Sequence, residues 1–282
     1  MTLRVGRIPY VNCYPVYGAI DRGVVRLDAS LVTGVPTELN HLVSEGKLDV
    51  SVVSAVEYAR DSRRYLLLPD LAISCDGPVR SVMLFSSRPA EELGRERVLV
   101  SASSMTSVAL LELLFEHVWQ ARPEFVRGDA EHGDAEHGDD DAGECVARLV
   151  IGDAALVLAD KRRRSGNGRY PYAYDLGQEW KAWTGLPFVF AVWVAQRSTP
   201  VAQSLGVHAT LIESRDWGLA HLDTLAQAAS EATGVSRDDC REYLSGLDYG
   251  LSYEHLAGLT EFFRRLVHAG RVPNGTLAFL VG

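Results

Sequence analysis

Three short segments of the sequence place small polar side chains directly after a predicted β-strand. They begin at Arg7, Ser101 and Leu149, and they carry an amide, a run of hydroxyls and a carboxylate, respectively. Ligands of open α/β sheets bind in the crevice outside the carboxyl ends of the strands. We therefore expect the three segments to contribute to one binding site.

The first segment, Arg7–Pro15, contains two prolines that stiffen the chain after the strand and direct Asn12 out of it. Two interpretations of Asn12 remain open. It is a ligand-contacting residue of the site, or it forms an Asx-turn or a helix cap.

The second segment, Ser101–Ser107, holds five hydroxyl groups between a strand and an amphipathic helix. Free backbone N–H groups and the positive end of the helix dipole make such a helix start an anion site. Because an N-cap needs only one Ser or Thr, the surplus favours anion binding, with Ser104, Thr106 and Ser107 as candidates. The Lys and glycine spacing of a phosphate-binding P-loop do not occur here.

The third segment, Leu149–Leu156, has Gly152 at a strand end, where a ligand can approach the backbone closely. Asp153 follows where a helix begins. It is either a plain N-cap or, if it faces the site, the carboxylate best placed for acid or base chemistry.

Other catalytic groups are not indicated. Cys13, Cys75, Cys145 and Cys240 are far apart and without CxxC spacing, which predicts buried free thiols. The histidines within helical patterns show neither triad nor metal spacing, and the pair His132 and His137 lies in a repeat without fixed geometry. No metal ion and no cofactor are predicted.

The elements that must position these segments alternate between strands and helices, which predicts an α/β fold with largely parallel sheets. After Phe85 the pattern begins again, as expected for a second lobe, and the helical C-terminal part is expected to cover the first. The predicted strands are 3–8, 27–32, 49–54, 71–74, 79–85, 98–101, 149–152 and 188–194, and the predicted helices include 36–46, 55–60, 106–119, one from 153, and 256–268.

Length and composition agree with a two-lobed globular protein. The chain has 282 residues, of which 47% are hydrophobic and 23% charged. The apolar runs are far shorter than the roughly 20 residues that span a bilayer, so no membrane partner is predicted. Met1–Arg7 enters a strand pattern without an apolar signal core, which predicts a cytoplasmic protein.

Charge is concentrated in one segment. The net charge is −9, yet residues 128–144 contain eight acids and no Lys or Arg, so the remaining 28 basic and 29 acidic residues nearly balance. A basic excess that would attract nucleic acid is missing, and a nucleic-acid partner is not expected. The acidic repeat is predicted to be a mobile loop, and the basic run Lys161–Gly166 a solvated loop.

Several motifs in a fixed order resemble the chorismate dehydratase family of the futalosine route to menaquinone. The resemblance extends from about residue 4 to residue 195, and the acidic repeat departs from the family pattern. The motifs are Ile8–Asn12, Leu68–Asp70, Ser74–Val82, Thr106–Ser107, Ile151–Asp153 and Thr184–Ala191.

This resemblance implies a two-lobed fold like that of type II periplasmic binding proteins, with a ligand cleft between the lobes. The strands 79–85 and 188–194 would then cross between the lobes. One lobe would comprise 1–86 and 191–282, and the other 87–190.

The resemblance also implies a cofactor-free reaction, in which chorismate loses water to give 3-[(1-carboxyvinyl)oxy]benzoate. Thr106 and Ser107 would hold the ring carboxylate, while Ser81 and Asn12 would hold the second carboxylate or the C4 hydroxyl. Either the enolpyruvyl carboxylate of the substrate or Asp153 would take the proton.

Two competing functions share this fold. A non-catalytic solute receptor for a small carboxylate would normally carry an export signal, and the related 1,4-dihydroxy-6-naphthoate synthase has a different opening motif from Ile8–Asn12. The sequence does not determine the oligomeric state.

Overall fold

The computed structural model describes residues 2–131, 145–166 and 168–282. The predicted mobile loop therefore lies for the most part, at 132–144, outside the described residues. Within them, the chain forms two five-stranded mixed sheets flanked by helices.

The first sheet has the order β2-β1-β3-β10-β4. Strands β1, β2 and β3 run parallel, and β10 pairs antiparallel with both β3 and β4. Its strands are β1 (Leu3–Arg7), β2 (Ala29–Thr33), β3 (Val50–Ser54), β4 (Tyr65–Cys75) and β10 (Phe188–Gln196).

The second sheet repeats this plan with the order β7-β6-β8-β5-β9. Strands β6, β7 and β8 run parallel, while β5 pairs antiparallel with β8 and β9. Its strands are β5 (Val82–Ser86), β6 (Arg97–Ser101), β7 (Glu124–Gly128), β8 (Ala147–Ile151) and β9 (Tyr172–Asp175).

Helices follow most of the parallel strands and build the C-terminal third of the chain. Their order is α1 (Tyr14–Asp21), α2 (Pro36–Ser44), α3 (Ala55–Arg60), α4 (Thr106–His117), α5 (Gly152–Ser165), α6 (Leu176–Thr184), α7 (Val201–Ala220), α8 (Leu222–Thr233), α9 (Arg237–Ser245) and α10 (Tyr253–His268).

The C-terminal part covers the first sheet, as predicted. Helix α7 packs along α1, α10 packs on β10 and α3, and Phe279 bridges to Leu67 of β4. The face of α10 that packs on β10 is apolar. Phe262 and Phe263 of α10 are buried, and Phe262 packs edge-on against Phe188. Burial of such rings contributes most to holding this layer in place.

The chain passes between the sheets twice, through residues 76–81 and through 176–187. The two strands predicted to cross each lie in a single sheet, because β5 pairs only within the second sheet and β10 only within the first. By sheet membership, residues 82–86 belong with the second lobe and 188–190 with the first. The division into lobes 1–86 with 191–282 and 87–190 stays a prediction, and the sheets favour limits a few residues earlier.

The basic run Lys161–Ser165 is helical, so the predicted solvated loop is wrong there. Asp160 lies 2.7 Å from Arg163 and 3.0 Å from Arg164, at the i,i+3 and i,i+4 spacings of a helix face. Cations at a helix C-terminus are also favoured by its dipole. These pairs extend α5 to Ser165.

Candidate functional site

A narrow cleft lies where the carboxyl ends of the parallel strands of both sheets face each other. It has a volume of about 70 Å³ and is lined by residues of both sheets and of the first connection between them. Sequence reasoning had selected six of its lining residues, namely Asn12, Ser81, Ser104, Thr106, Ser107 and Gly152. The three segments predicted to contribute to one site do meet.

Asn12 belongs to the 3-10 turn Val11–Cys13, which follows β1 and leads into α1. Its Oδ1 atom is buried and has no hydrogen-bond partner among the described residues. A buried acceptor without a partner is costly unless a ligand or water satisfies it. Asn12 therefore makes no Asx-turn through this oxygen, and the residue lines the cleft.

The hydroxyl run after β6 is folded by its own side chains. The Ser104 hydroxyl accepts from the Ser107 N–H at 3.2 Å, and Ser101 Oγ accepts from the Ser103 N–H at 3.0 Å. These bonds fix the turn before α4 and leave the Ser107 hydroxyl free to face the cleft. Ser104, Thr106 and Ser107 are all buried, whereas Ser103 does not line the cleft.

Thr106 makes a contact across the cleft. Its Oγ1 accepts from the N–H of Val56, in the first turn of α3, at 3.2 Å. A hydroxyl has one proton to give and two lone pairs, so Thr106 still has its proton for a ligand. Beside it, the Asn40 amide donates to Ser54 Oγ at 2.9 Å, which places Ser54 in the lining as well.

Ser81 is held by the connection that joins the two sheets. Arg80 has φ +62°, and the N–H groups of Val79 and Arg80 donate to the Asp175 carboxylate at 3.0 and 2.6 Å. Ser81 is buried, and its carbonyl accepts from the Gly152 N–H at 2.8 Å. Burial raises the pKa of Asp175, while its four backbone hydrogen bonds favour the carboxylate.

Gly152 begins α5 with φ +62°, a conformation that favours glycine. A Cβ at this position would lie 2.9 Å from the Tyr10 ring, so the ring packs directly on the Gly152 backbone. Burial raises the pKa of Tyr10 to about 12 and keeps its phenol neutral. The close approach predicted at this glycine is made by Tyr10, and both residues line the cleft.

Asp153 is half-buried beside the cleft but is not among its lining residues. Its Oδ1 accepts from the Val11 N–H at 3.0 Å. Burial raises the pKa of Asp153 to about 6, and the Val11 bond opposes this shift. It does not cap its own helix, because the structure records no side-chain cap at the start of α5.

Sequence reasoning missed several lining residues. Ser54 ends β3 immediately before α3, which is the same strand-end signal that identified the other segments. The apolar lining had no comparable signal in the sequence, because its members resemble core residues: Ile8, Pro36, Ile73, Val79, Val82, Ile151, Phe190 and Ala191.

All four cysteines are buried, and none of them forms a disulfide, as predicted. The sequence predicted no triad among the histidines, yet the structure places one histidine between a serine and an aspartate. His255 Nδ1 lies 2.9 Å from Ser252 Oγ, and its Nε2 lies 3.2 Å from Asp248 Oδ2. Ser252 is the N-cap of α10 and accepts from the His255 N–H, so this cluster is a capping box that starts the helix.

Over the described ranges, His, Cys, Asp and Glu side chains form no group of three that could hold a metal ion. In that same part of the chain, no helix is long and apolar enough to cross a bilayer.

Comparison with known proteins identifies the family. The family model for menaquinone biosynthesis matches residues 3–268, which is most of the chain. The chain belongs to this menaquinone biosynthesis family. Its relatives include the chorismate dehydratase of Thermus thermophilus, 33% identical over 271 residues that cover 92% of this chain and 95% of the relative. The family suspected from the motifs is thereby confirmed.

Solved structures place this member of the menaquinone biosynthesis family in a known fold. Protein AF1704 from Archaeoglobus fulgidus superposes with a TM-score of 0.77 at 18% identity, covering 96% of this chain and 98% of that one. The alkanesulfonate-binding protein SsuA from Xanthomonas axonopodis, bound to MOPS, gives 0.68 at 14% identity, with 98% and 96% covered. The predicted two-lobed, periplasmic-binding-protein-like fold is confirmed.

Proposed function

We propose that this protein is a chorismate dehydratase, a hydro-lyase that converts chorismate to 3-[(1-carboxyvinyl)oxy]benzoate and water. Membership of the menaquinone biosynthesis family and the 33% identity to a chorismate dehydratase support this function. One observation in the structure supports the assignment of this function to the cleft: neutral hydroxyl and amide groups from both lobes line it together. The cytoplasmic location predicted from the sequence remains a proposal that suits such a biosynthetic step.

The elimination removes a proton from ring C3 and hydroxide from C4, and the ring becomes aromatic. Negative charge that develops at C3 spreads through the diene into the ring carboxylate. Donors fixed around that carboxylate therefore stabilise the transition state more than the ground state. Thr106 and Ser107, at the start of α4, are proposed to supply them, aided by the positive end of the helix.

Asn12 and Ser81 are proposed to hold the rest of the substrate. The unpartnered Asn12 Oδ1 can accept the proton of the C4 hydroxyl, and this bond orients the leaving group. The Ser81 hydroxyl, whose contact to the Val79 carbonyl is long at 3.4 Å, can turn to the second carboxylate. Ser104 and the Gly152 backbone complete the proposed binding surface.

The enolpyruvyl carboxylate of chorismate is the proposed base. None of the described residues that line the cleft is a His, Lys, Asp or Glu, and Asp153 Oδ1 accepts from the Val11 N–H. The carboxylate would take the C3 proton and the C4–O bond would break. The departing hydroxide would then receive that same proton from the carboxylic acid and leave as water, which regenerates the carboxylate. The enzyme then acts mainly by orienting the substrate side chain over C3.

The direct test is incubation of the purified protein with chorismate in the presence of a metal chelator. We expect a product lighter than chorismate by one water in the mass spectrum, with the ultraviolet absorbance of a benzoate. Binding of chorismate without turnover would instead identify a non-catalytic carboxylate receptor. Failure to bind chorismate at all would reject the substrate.

Replacement of Thr106 by Val is expected to lower kcat/KM roughly 30-fold. The isosteric valine removes a hydroxyl that would donate a hydrogen bond to the substrate carboxylate. Such a bond contributes about 2 kcal/mol, which corresponds to a change in kcat/KM of between ten- and a hundredfold. Thr106→Ser keeps the hydroxyl and should stay within about threefold of the wild type. Ser103→Ala, next to the cleft but outside its lining, is the matched control. Equal rates for Thr106→Val and wild type would exclude Thr106 from carboxylate binding.

A further inference from the structure

The turn that carries Asn12 has no cap of its own. Tyr10, which precedes the 3-10 turn Val11–Cys13, makes no side-chain capping bond, and α1 likewise begins without one. The first N–H groups of a helical turn need acceptors from elsewhere. Val11 finds its acceptor 142 residues away in the chain, at Asp153 Oδ1. The turn is therefore capped from the opposite side of the cleft.

Asp153 lies where the start of α5 packs against this turn. It follows Gly152, whose N–H donates to the Ser81 carbonyl and whose backbone lies under the Tyr10 ring. The start of α5 thus contacts two consecutive residues of the first lobe, through the Tyr10 ring and the Val11 N–H. Asn12 is the next residue in the chain.

A second contact across the cleft repeats this arrangement. Helix α3 of the first lobe also lacks a side-chain cap at Ser54, and Thr106 Oγ1 accepts from the Val56 N–H in its first turn. In both cases, a residue in the first turn of a second-lobe helix supplies the missing acceptor for a first-lobe helix start. Both caps exist only while the two sides of the cleft are in contact.

We propose that Asp153 is a positioning residue, which caps the Val11–Cys13 turn across the cleft and thereby holds the Asn12 amide in its orientation toward the substrate. This inference rests on the proposed function, because the role of Asn12 is defined by it. Asp153 acts through Asn12 and does not take the substrate proton. Burial raises the pKa of the Asp153 carboxyl, because the carboxylate loses its hydration and gains only one backbone hydrogen bond in return.

Two substitutions separate positioning from base catalysis. Asp153→Ala removes the acceptor and should lower kcat about tenfold, with a smaller change in KM. Asp153→Asn keeps an oxygen that can accept from Val11 and should restore kcat to within about threefold of the wild type. If Asp153→Asn lowers kcat as much as Asp153→Ala or more, Asp153 acts as the base and the positioning role is wrong.

The pH dependence of kcat gives a second readout. The tyrosines and thiols that interact with Asp153 have raised pKa values and stay neutral, namely Tyr10, Tyr14, Tyr243, Cys13 and Cys240. Below pH 6 the Asp153 carboxyl takes up a proton, but its carbonyl oxygen still accepts from Val11. Hence kcat should fall only to a plateau, whereas loss of a catalytic base would lower it about tenfold per pH unit.

Asp160→Ala is the matched control for these measurements. Asp160 is a buried carboxylate of the same helix, paired with Arg163 and Arg164. Its loss should lower the melting temperature and leave kcat unchanged. If the wild type makes no product from chorismate, the proposed function fails; if it does and Asp153→Ala has the same kcat, only the positioning role fails.

Discussion

Substitution of Asn12 by Ala is expected to lower kcat by about 100- to 1000-fold, the range found when one preorganised polar contact to a transition state is removed. Among the described residues that line the cleft, Asn12 alone has a buried side-chain acceptor without a partner, and the proposed mechanism assigns this acceptor to the C4 hydroxyl. Without it the C4 hydroxyl is no longer oriented for departure.

Steady-state kinetics with chorismate measure this change, and the affinity for the benzoate product separates turnover from binding. The product has lost the C4 hydroxyl, so its Kd should change by less than about threefold, because no bond to that group remains to be lost. The folded state should not be weakened, because removing a buried carbonyl oxygen that has no partner is close to neutral or stabilising. An unchanged kcat for Asn12→Ala would remove Asn12 from the proposed mechanism.

Gly152→Ala is expected to reduce kcat/KM about 100-fold. The added methyl would meet the Tyr10 ring at 2.9 Å, and overpacking of this kind costs about 1–3 kcal/mol. The Tyr10 ring lines the narrow cleft, so a shift of the ring changes the space that the substrate would occupy.

Gly234→Ala is the control for backbone strain. Gly234 has φ +74°, close to the +62° of Gly152, but a methyl group there would meet nothing within 4 Å. It should lower stability by about 1 kcal/mol without affecting turnover. Tyr10→Leu replaces the ring by a smaller side chain and should recover part of the activity when it is combined with Gly152→Ala. If the double variant is no more active than Gly152→Ala, the clash is not the cause.

The helices that follow strands β3 and β6 were predicted closely. Helix α3 was predicted with its observed limits, and α4 differs only at its C-terminus. The strands β7 and β9 were not predicted. Both are edge strands with mostly exposed or half-buried side chains, so they lack the apolar pattern on which strand prediction depends.

Strand β4 shows a different limit of local patterns. Residues 71–74 and 79–85 were predicted as neighbouring strands around a turn, yet β4 begins at Tyr65 and pairs with β10, while β5 lies in the other sheet. Asp70, with φ +51°, lies inside β4, where the pairing register with β10 shifts. A local pattern does not show which distant strand will pair across such an irregularity.

The sequence alone determined which residue types the site would contain and that they would come together. Hydroxyl, amide and carboxyl groups follow strands, and the carboxyl ends of parallel strands meet at one edge of a sheet. Tertiary structure decided what each group does there. Asp153 and Thr106 accept backbone N–H groups of residues 142 and 50 positions away, and such partners depend on how two sheets face each other. A local sequence pattern specifies a helix start, but only the packed fold specifies which helix that residue will cap.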